Sequence, residues 1–168
     1  MHWNGVAWSN VHSPTTNVLE GVWGSGPDDV WAAGYTDTTS GVIAHWDGSA
    51  WSTLPSSDTY TLEGMWGTGP ANVWAVGGSI AHRDSSAWST VAESSAADLL
   101  IGVWGSGPND VWSVGYSVAS GNGAIEHWDG SAWSTATNPT TNVLHGVWGS
   151  GADDVWAVGV DGAIVHYH

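Results

Sequence analysis

The hexapeptide Leu19-Glu20-Gly21-Val22-Trp23-Gly24 returns without a gap as Leu62-Glu63-Gly64-Met65-Trp66-Gly67, Leu100-Ile101-Gly102-Val103-Trp104-Gly105 and Leu144-His145-Gly146-Val147-Trp148-Gly149. Eight residues after the tryptophan of each copy stands a second one, Trp31, Trp74, Trp112 and Trp156, inside Val-Trp-(Ala/Ser)-(Ala/Val)-Gly. A third string follows as Ile43-Ala44-His45-Trp46-Asp47-Gly48-Ser49-Ala50-Trp51, with counterparts running from Ile80 to Trp88 and from Ile125 to Trp133. Self-similarity with a period of about 40 residues marks an array of one supersecondary unit. Four units are present, the fourth divided between the two ends of the sequence.

Each unit reads as strands. Short apolar runs rich in Val, Ile and Trp are broken by Gly-(Ser/Thr)-Gly-(Pro/Ala) and Asp-Gly, and no apolar window reaches helical length. Four strands per unit follow: Leu-x-Gly-Val-Trp, Val-Trp-Ala-Val-Gly, Ile-Ala-His-Trp and Ser-Ala-Trp-Ser-Thr. Asp47-Gly48 and Asp129-Gly130 predict type I′ hairpins between third and fourth strands, with Trp46 opposite Ser49, and Asn4-Gly5 repeats that chemistry near the start. Asp29, Asn72, Asp110 and Asp154, in the turn between first and second strands, are expected to cap backbone N–H groups, with metal ligation as the alternative.

Composition removes several roles. One Arg and no Lys face 16 Asp and Glu, a formal charge of −15 over 168 residues. Nucleic acid and anionic membrane surfaces both require basic side chains, so neither is expected as a partner. The absence of Cys excludes disulfides and thiol catalysis. No apolar run approaches the roughly 18 residues of a spanning helix, and Met1-His2-Trp3-Asn4 lacks the features of a signal peptide.

The whole chain resembles the tryptophan-rich bacterial β-propeller repeats of the form Leu-x-Gly-Val-Trp-Gly-Ser-Gly-Pro-x-Asp-Val-Trp-Ala-Val-Gly…His-Trp-Asp-Gly-Ser-Ala-Trp, which are broadly similar to kelch and Asp-box propellers. Asp47 and Asp129 precede Gly directly where an Asp-box has an intervening residue, so sialidase-like activity is not implied. Such propellers occur as natural multi-blade proteins and as excised or designed half-propeller scaffolds. The expectation is an all-β, single-domain propeller over residues 1–168, with blades near 12–54, 55–91, 92–137 and 138–168 plus 1–11. A four-stranded blade cannot bury both faces alone, which places most of the 15 Trp between blades, each burying on the order of 150–250 Å².

The last blade takes three strands from the end of the sequence and its fourth from the beginning. Pairing of Val6, Ala7 and Trp8 beside Ile164, Val165 and His166 would complete it and remove two free edges. Within one chain this closes a four-bladed ring; between two chains it gives an eight-bladed homodimer, the expected form. The spacing from the second-strand Trp to the third-strand His, 14, 8, 15 and 10 residues, alternates and so hides a period of two blades.

Candidate sites are few. The long loops after the second strands carry Tyr35, Asp37, Thr38, Thr39, Tyr116 and Asn122, and Asp58 and Tyr60 precede a first strand on the same rim. These residues would line a carbohydrate or small-ligand surface, the alternative to a pure scaffold. Glu20, Glu63 and His145 share one position of the first strand and could face the axis as a cation site, although Ile101 breaks the set. His45, His82, His127 and His166 recur one per blade, too far apart for one metal, and are expected to bond neighbouring blades. There is no Gly-x-Ser-x-Gly elbow and no phosphate loop, since Gly-Ser-Gly-Pro precedes a strand. The expectation is a non-enzymatic scaffold without a cofactor.

Overall fold

The computed structural model describes residues 1–36, 40–54, 60–85, 87–92 and 98–168. It is an all-β structure of consecutive antiparallel sheets. A two-residue-strand hairpin, β1 (His2–Trp3) and β2 (Trp8–Ser9), precedes the first sheet, β3 (Val18–Gly26), β4 (Asp29–Tyr35), β5 (Gly41–Trp46) and β6 (Trp51–Leu54). The second sheet holds β7 (Leu62–Gly69), β8 (Asn72–Gly77), β9 (Ile80–Asp84) and β10 (Ala87–Ala92). The third holds β11 (Asp98–Gly107), β12 (Asp110–Ser117), β13 (Gly123–Trp128) and β14 (Trp133–Thr135). The fourth has three strands, β15 (Leu144–Gly151), β16 (Asp154–Gly159) and β17 (Ile164–Tyr167). Strands pair in sequence order, and the first strands β3, β7, β11 and β15 pack side by side in an inner column.

The local chemistry of each unit explains this order. The two tryptophans eight residues apart become a cross-strand pair, as in Trp23↔Trp31 and Trp104↔Trp112. Register shifts on either side of that pair insert an extra first-strand residue twice per sheet, at Leu19/Gly21 and Gly24/Gly26 in the first, which bends the strand and adds twist. Gly34 explains why each second strand carries a glycine near its end: a Cβ there would lie 1.9 Å from the Val18 carbonyl oxygen. No side chain fits that approach.

The Asp-Gly connections differ from the expected two-residue turn. Trp46 pairs with Trp51, not Ser49, so residues 47–50 form a four-residue loop. Only Gly48 has positive φ, at 91°, whereas a type I′ turn needs two such residues. The Asp47 carboxylate replaces the missing turn bonds: its Oδ1 accepts from the N–H groups of Ser49 and Ala50, both at 2.9 Å, and from the Ser49 hydroxyl. These bonds, the Ser49 hydroxyl first, hold the Asp47 pKa at about 2, and Asp129 repeats the arrangement.

The core lies between sheets. Trp31, Ala33 and Ile43 of the first meet Leu62, Met65 and Val73 of the second. Trp74, Val76 and Ile80 meet Leu100 and Val111, and Trp112, Val114 and Ile125 meet Leu144 and Val155. Each sheet therefore offers a trailing face built on its second-strand Trp and a leading face built on its first-strand Leu. Closure within the chain is not made: β2 pairs with β1, and β17 pairs only with β16 among the described residues.

Candidate functional site

The regular polar feature is a four-residue network found in three of the four sheets. In the first, Asp29 Oδ2 accepts from the Ser25 hydroxyl, while Oδ1 accepts from Trp31 Nε1 at 3.0 Å and contacts His45 Nε2 at 2.7 Å. The His45 ring stacks on Trp31 at 4.0 Å. Ser106, Asp110, Trp112 and His127 repeat this in the third sheet, and Ser150, Asp154, Trp156 and His166 in the fourth.

This arrangement corrects two expectations. The aspartates accept from side chains rather than capping backbone N–H groups. The histidines bond within their own sheet, because third and second strands are in direct register at Trp31↔His45 and its equivalents. Partial burial works against the Asp29 carboxylate, but the bonds from Ser25, His45 and Trp31 outweigh it and hold its pKa below the ordinary value. The second sheet substitutes as a set: Asn72 Nδ2 donates to Thr68, His82 Nε2 lies 2.6 Å from Asn72 Oδ1, and Trp74 Nε1 is buried without a partner.

Arg83 takes a tryptophan's place in full. Its Nε donates to the Pro70 carbonyl at 3.1 Å, as Trp46 and Trp128 donate to Pro27 and Pro108. Its guanidinium also lies 4.7 Å from the centre of the Trp31 ring, a cation–π contact across the seam.

The expected axial trio does not assemble. Among the described residues no group of three or more His, Cys, Asp and Glu is placed to hold a metal ion. Glu20 and Glu63 do approach: burial first, then the charge of Glu20, raises the Glu63 pKa. The Tyr35 hydroxyl donates to Glu20 at 3.4 Å, and burial together with both carboxylates raises its own pKa. His145 is exposed and does not join them.

Tyr60 lies against Gly41 of the first sheet and Gly78 of the second, on the rim that carries Tyr35. Tyr116 lies at the matching place in the third sheet, paired with Leu99, and the Asn122 carbonyl closes the loop by accepting the Ser117 N–H at 2.7 Å. Asp37, Thr38, Thr39 and Asp58 lie outside the described residues. Glu126 is a further buried polar group, 4% exposed and accepting from Thr135, marked in the sequence by an acidic residue where other units have Ala44 and Ala81.

Consecutive antiparallel sheets, three of four strands and one of three, around a column of first strands define a β-propeller fold. Solved structures agree. YCF48 bound to D1 peptide superposes with a TM-score of 0.68 at 19% identity, over 90% of this chain and 51% of that one. Virginiamycin B lyase from Staphylococcus aureus gives 0.57 at 15% identity, over 88% and 54%. SapL1 lectin in complex with alpha methyl fucoside gives 0.57 at 18% identity, over 88% and 62%. The chain thus spans between about half and three-fifths of the length of these structures, and the likeness is one of fold. No family model and no curated protein matches the sequence.

Proposed function

We propose that the chain is a non-catalytic β-propeller scaffold that self-assembles, two copies forming an eight-bladed ring. The observation that carries this reading is the pair of end faces. The first sheet presents Leu19 and Val22 uncovered, the positions at which Leu62 and Met65 fill the seam behind Trp31. The fourth sheet presents Trp156, Val158 and Ile164 uncovered, the counterparts of Trp112, Val114 and Ile125. These faces are the two halves of a seam made three times inside the chain. Apolar faces of this kind mark association surfaces, and a head-to-tail contact that closes gives a ring.

The scaffold part of the proposal rests on how the polar groups are used. Asp29, Asp110 and Asp154, with His45, His127 and His166, are held in near-identical networks in the first, third and fourth sheets. The same bonds recurring in three sheets support a structural role for these side chains. Light scattering behind size exclusion tests the assembly: a mass twice the 17.5 kDa chain is expected, and the single-chain mass at every concentration would overturn it. Reproducible glycan-array binding lost on Tyr35→Ala and Tyr116→Ala would replace the scaffold reading with a sugar-binding one.

A further inference from the structure

A cleft of about 380 Å³ opens between the third and fourth sheets, lined by Trp112, Val114, Ile125, Val165 and Tyr167 among others. The matching positions at the other seams are filled. Trp88 packs edge-on to Trp31 at 5.5 Å, and Trp133 edge-on to Trp74 at 5.3 Å. Both come from a fourth strand. In the fourth sheet Tyr167 reaches Trp112 at 4.9 Å, as Trp128 reaches Trp74 at 5.2 Å, and the place of Trp133 is the cleft.

The missing piece exists elsewhere in the chain, already shaped. The Asn4 side chain accepts from the N–H groups of Val6 and Ala7, both at 2.9 Å, as Asp129 accepts from Ser131 and Ala132. Trp3 and Trp8 lie 5.9 Å apart at 50°, Trp128 and Trp133 6.1 Å apart at 43°. Gly5 and Gly130 have φ of 94° and 92°. The connections to the next first strand, 10–17 and 136–143, match in length, and Asn17 and Asn142 each bond a threonine hydroxyl two residues back at 3.1 Å. So β2 stands to β3 as β14 stands to β15: it is the outer strand of a sheet that precedes the first one. Trp8 is meanwhile 66% exposed, and a two-stranded hairpin is marginal by itself.

We infer that the cleft receives Trp8 of a second copy, whose β2 pairs along the free edge of β17 after leaving its own β1. This rests on the ring reading above and adds the segment that locks it. The register follows from β13 and β14: Trp8 opposite Tyr167, Ser9 opposite His166 and Asn10 opposite Val165, copying Trp133↔Trp128, Ser134↔His127 and Thr135↔Glu126. β1 and β17 compete for one edge of β2, since β1 repeats the His127-Trp128 strand. β1 offers two pairs and β17 three, so β1 is a placeholder that the partner displaces.

The chain has no native cysteine, so Asn10→Cys with Val165→Cys tests seat and register together. Oxidation is expected to yield a covalent dimer on a non-reducing gel; an intramolecular bridge or no bridge overturns the inference. Trp8→Ala is expected to raise the dimer dissociation constant by about tenfold or more, as loss of a buried aromatic anchor does. Removal of residues 1–3 is expected to lower it. An unchanged constant for Trp8→Ala in a chain that still dimerises overturns the inference and leaves the head-to-tail reading standing. A single-chain mass for the unaltered protein at every concentration overturns both.

Discussion

Leu19 and Leu62 hold the same place in their sheets, yet one is 39% exposed and the other 0%. Trp156 and Trp112 differ in the same way, at 40% and 7%. Local structure does not explain this, because the strand registers agree between the sheets. The difference is a neighbour: Leu62 has a sheet before it and Trp112 has one after it. Burial of the unit's apolar residues is therefore conferred from outside the unit, the nearest-neighbour energetics of repeat proteins.

The largest expected effect that could break this contrast comes from Leu100→Ala against Leu19→Ala. The first should cost about 2–5 kcal/mol in urea unfolding, as buried leucine truncations do, and the second about 0.5 kcal/mol or less at high dilution. Equal losses would mean that the first sheet is covered after all. Asp110→Ala should cost about 1–3 kcal/mol by stranding Trp112 and His127, and Asp154→Ala less, since its partners reach water. Asn72→Asp should stabilise by about 1 kcal/mol by restoring the charged acceptor that Trp31 and Trp112 use, read as slower exchange of the Trp74 indole N–H.

The smallest effect separates the hairpin turns by pH. Asp47 and Asp129 titrate at about 2 in the folded chain against about 3.9 unfolded. A depressed carboxylate contributes fully above the unfolded value, and its contribution is lost as pH falls through the folded one. Acid should therefore loosen loops 47–50 and 129–132 between about pH 4 and 2, while the Asn4 turn, which cannot titrate, keeps its bonds. Carboxyl NMR showing a midpoint near 4 for Asp129 would contradict this.

Strand order was legible because Trp23 and Trp31 recur at one spacing in every unit and Gly punctuates them. The network is not legible in the sequence because its members are scattered: Asp29 looks like a turn residue until His45, 16 positions on, is brought beside it by the β4–β5 register. A signal existed nonetheless, since Ser25 and Asp29 change together to Thr68 and Asn72. The Asp-Gly turn departs from type I′ because a single carboxylate, Asp47, supplies the bonds that a second positive φ would otherwise set up. Nothing in the sequence distinguishes Leu19 from Leu62, because what differs is the presence of a neighbouring sheet.

The Ser-Asp-Trp-His networks are closed within single sheets, and the described cores between sheets are apolar. Insertion or excision of a whole unit would sever none of these polar bonds and would leave each new seam with the same two faces. Copy number is in this sense uncoupled from the internal wiring of a unit.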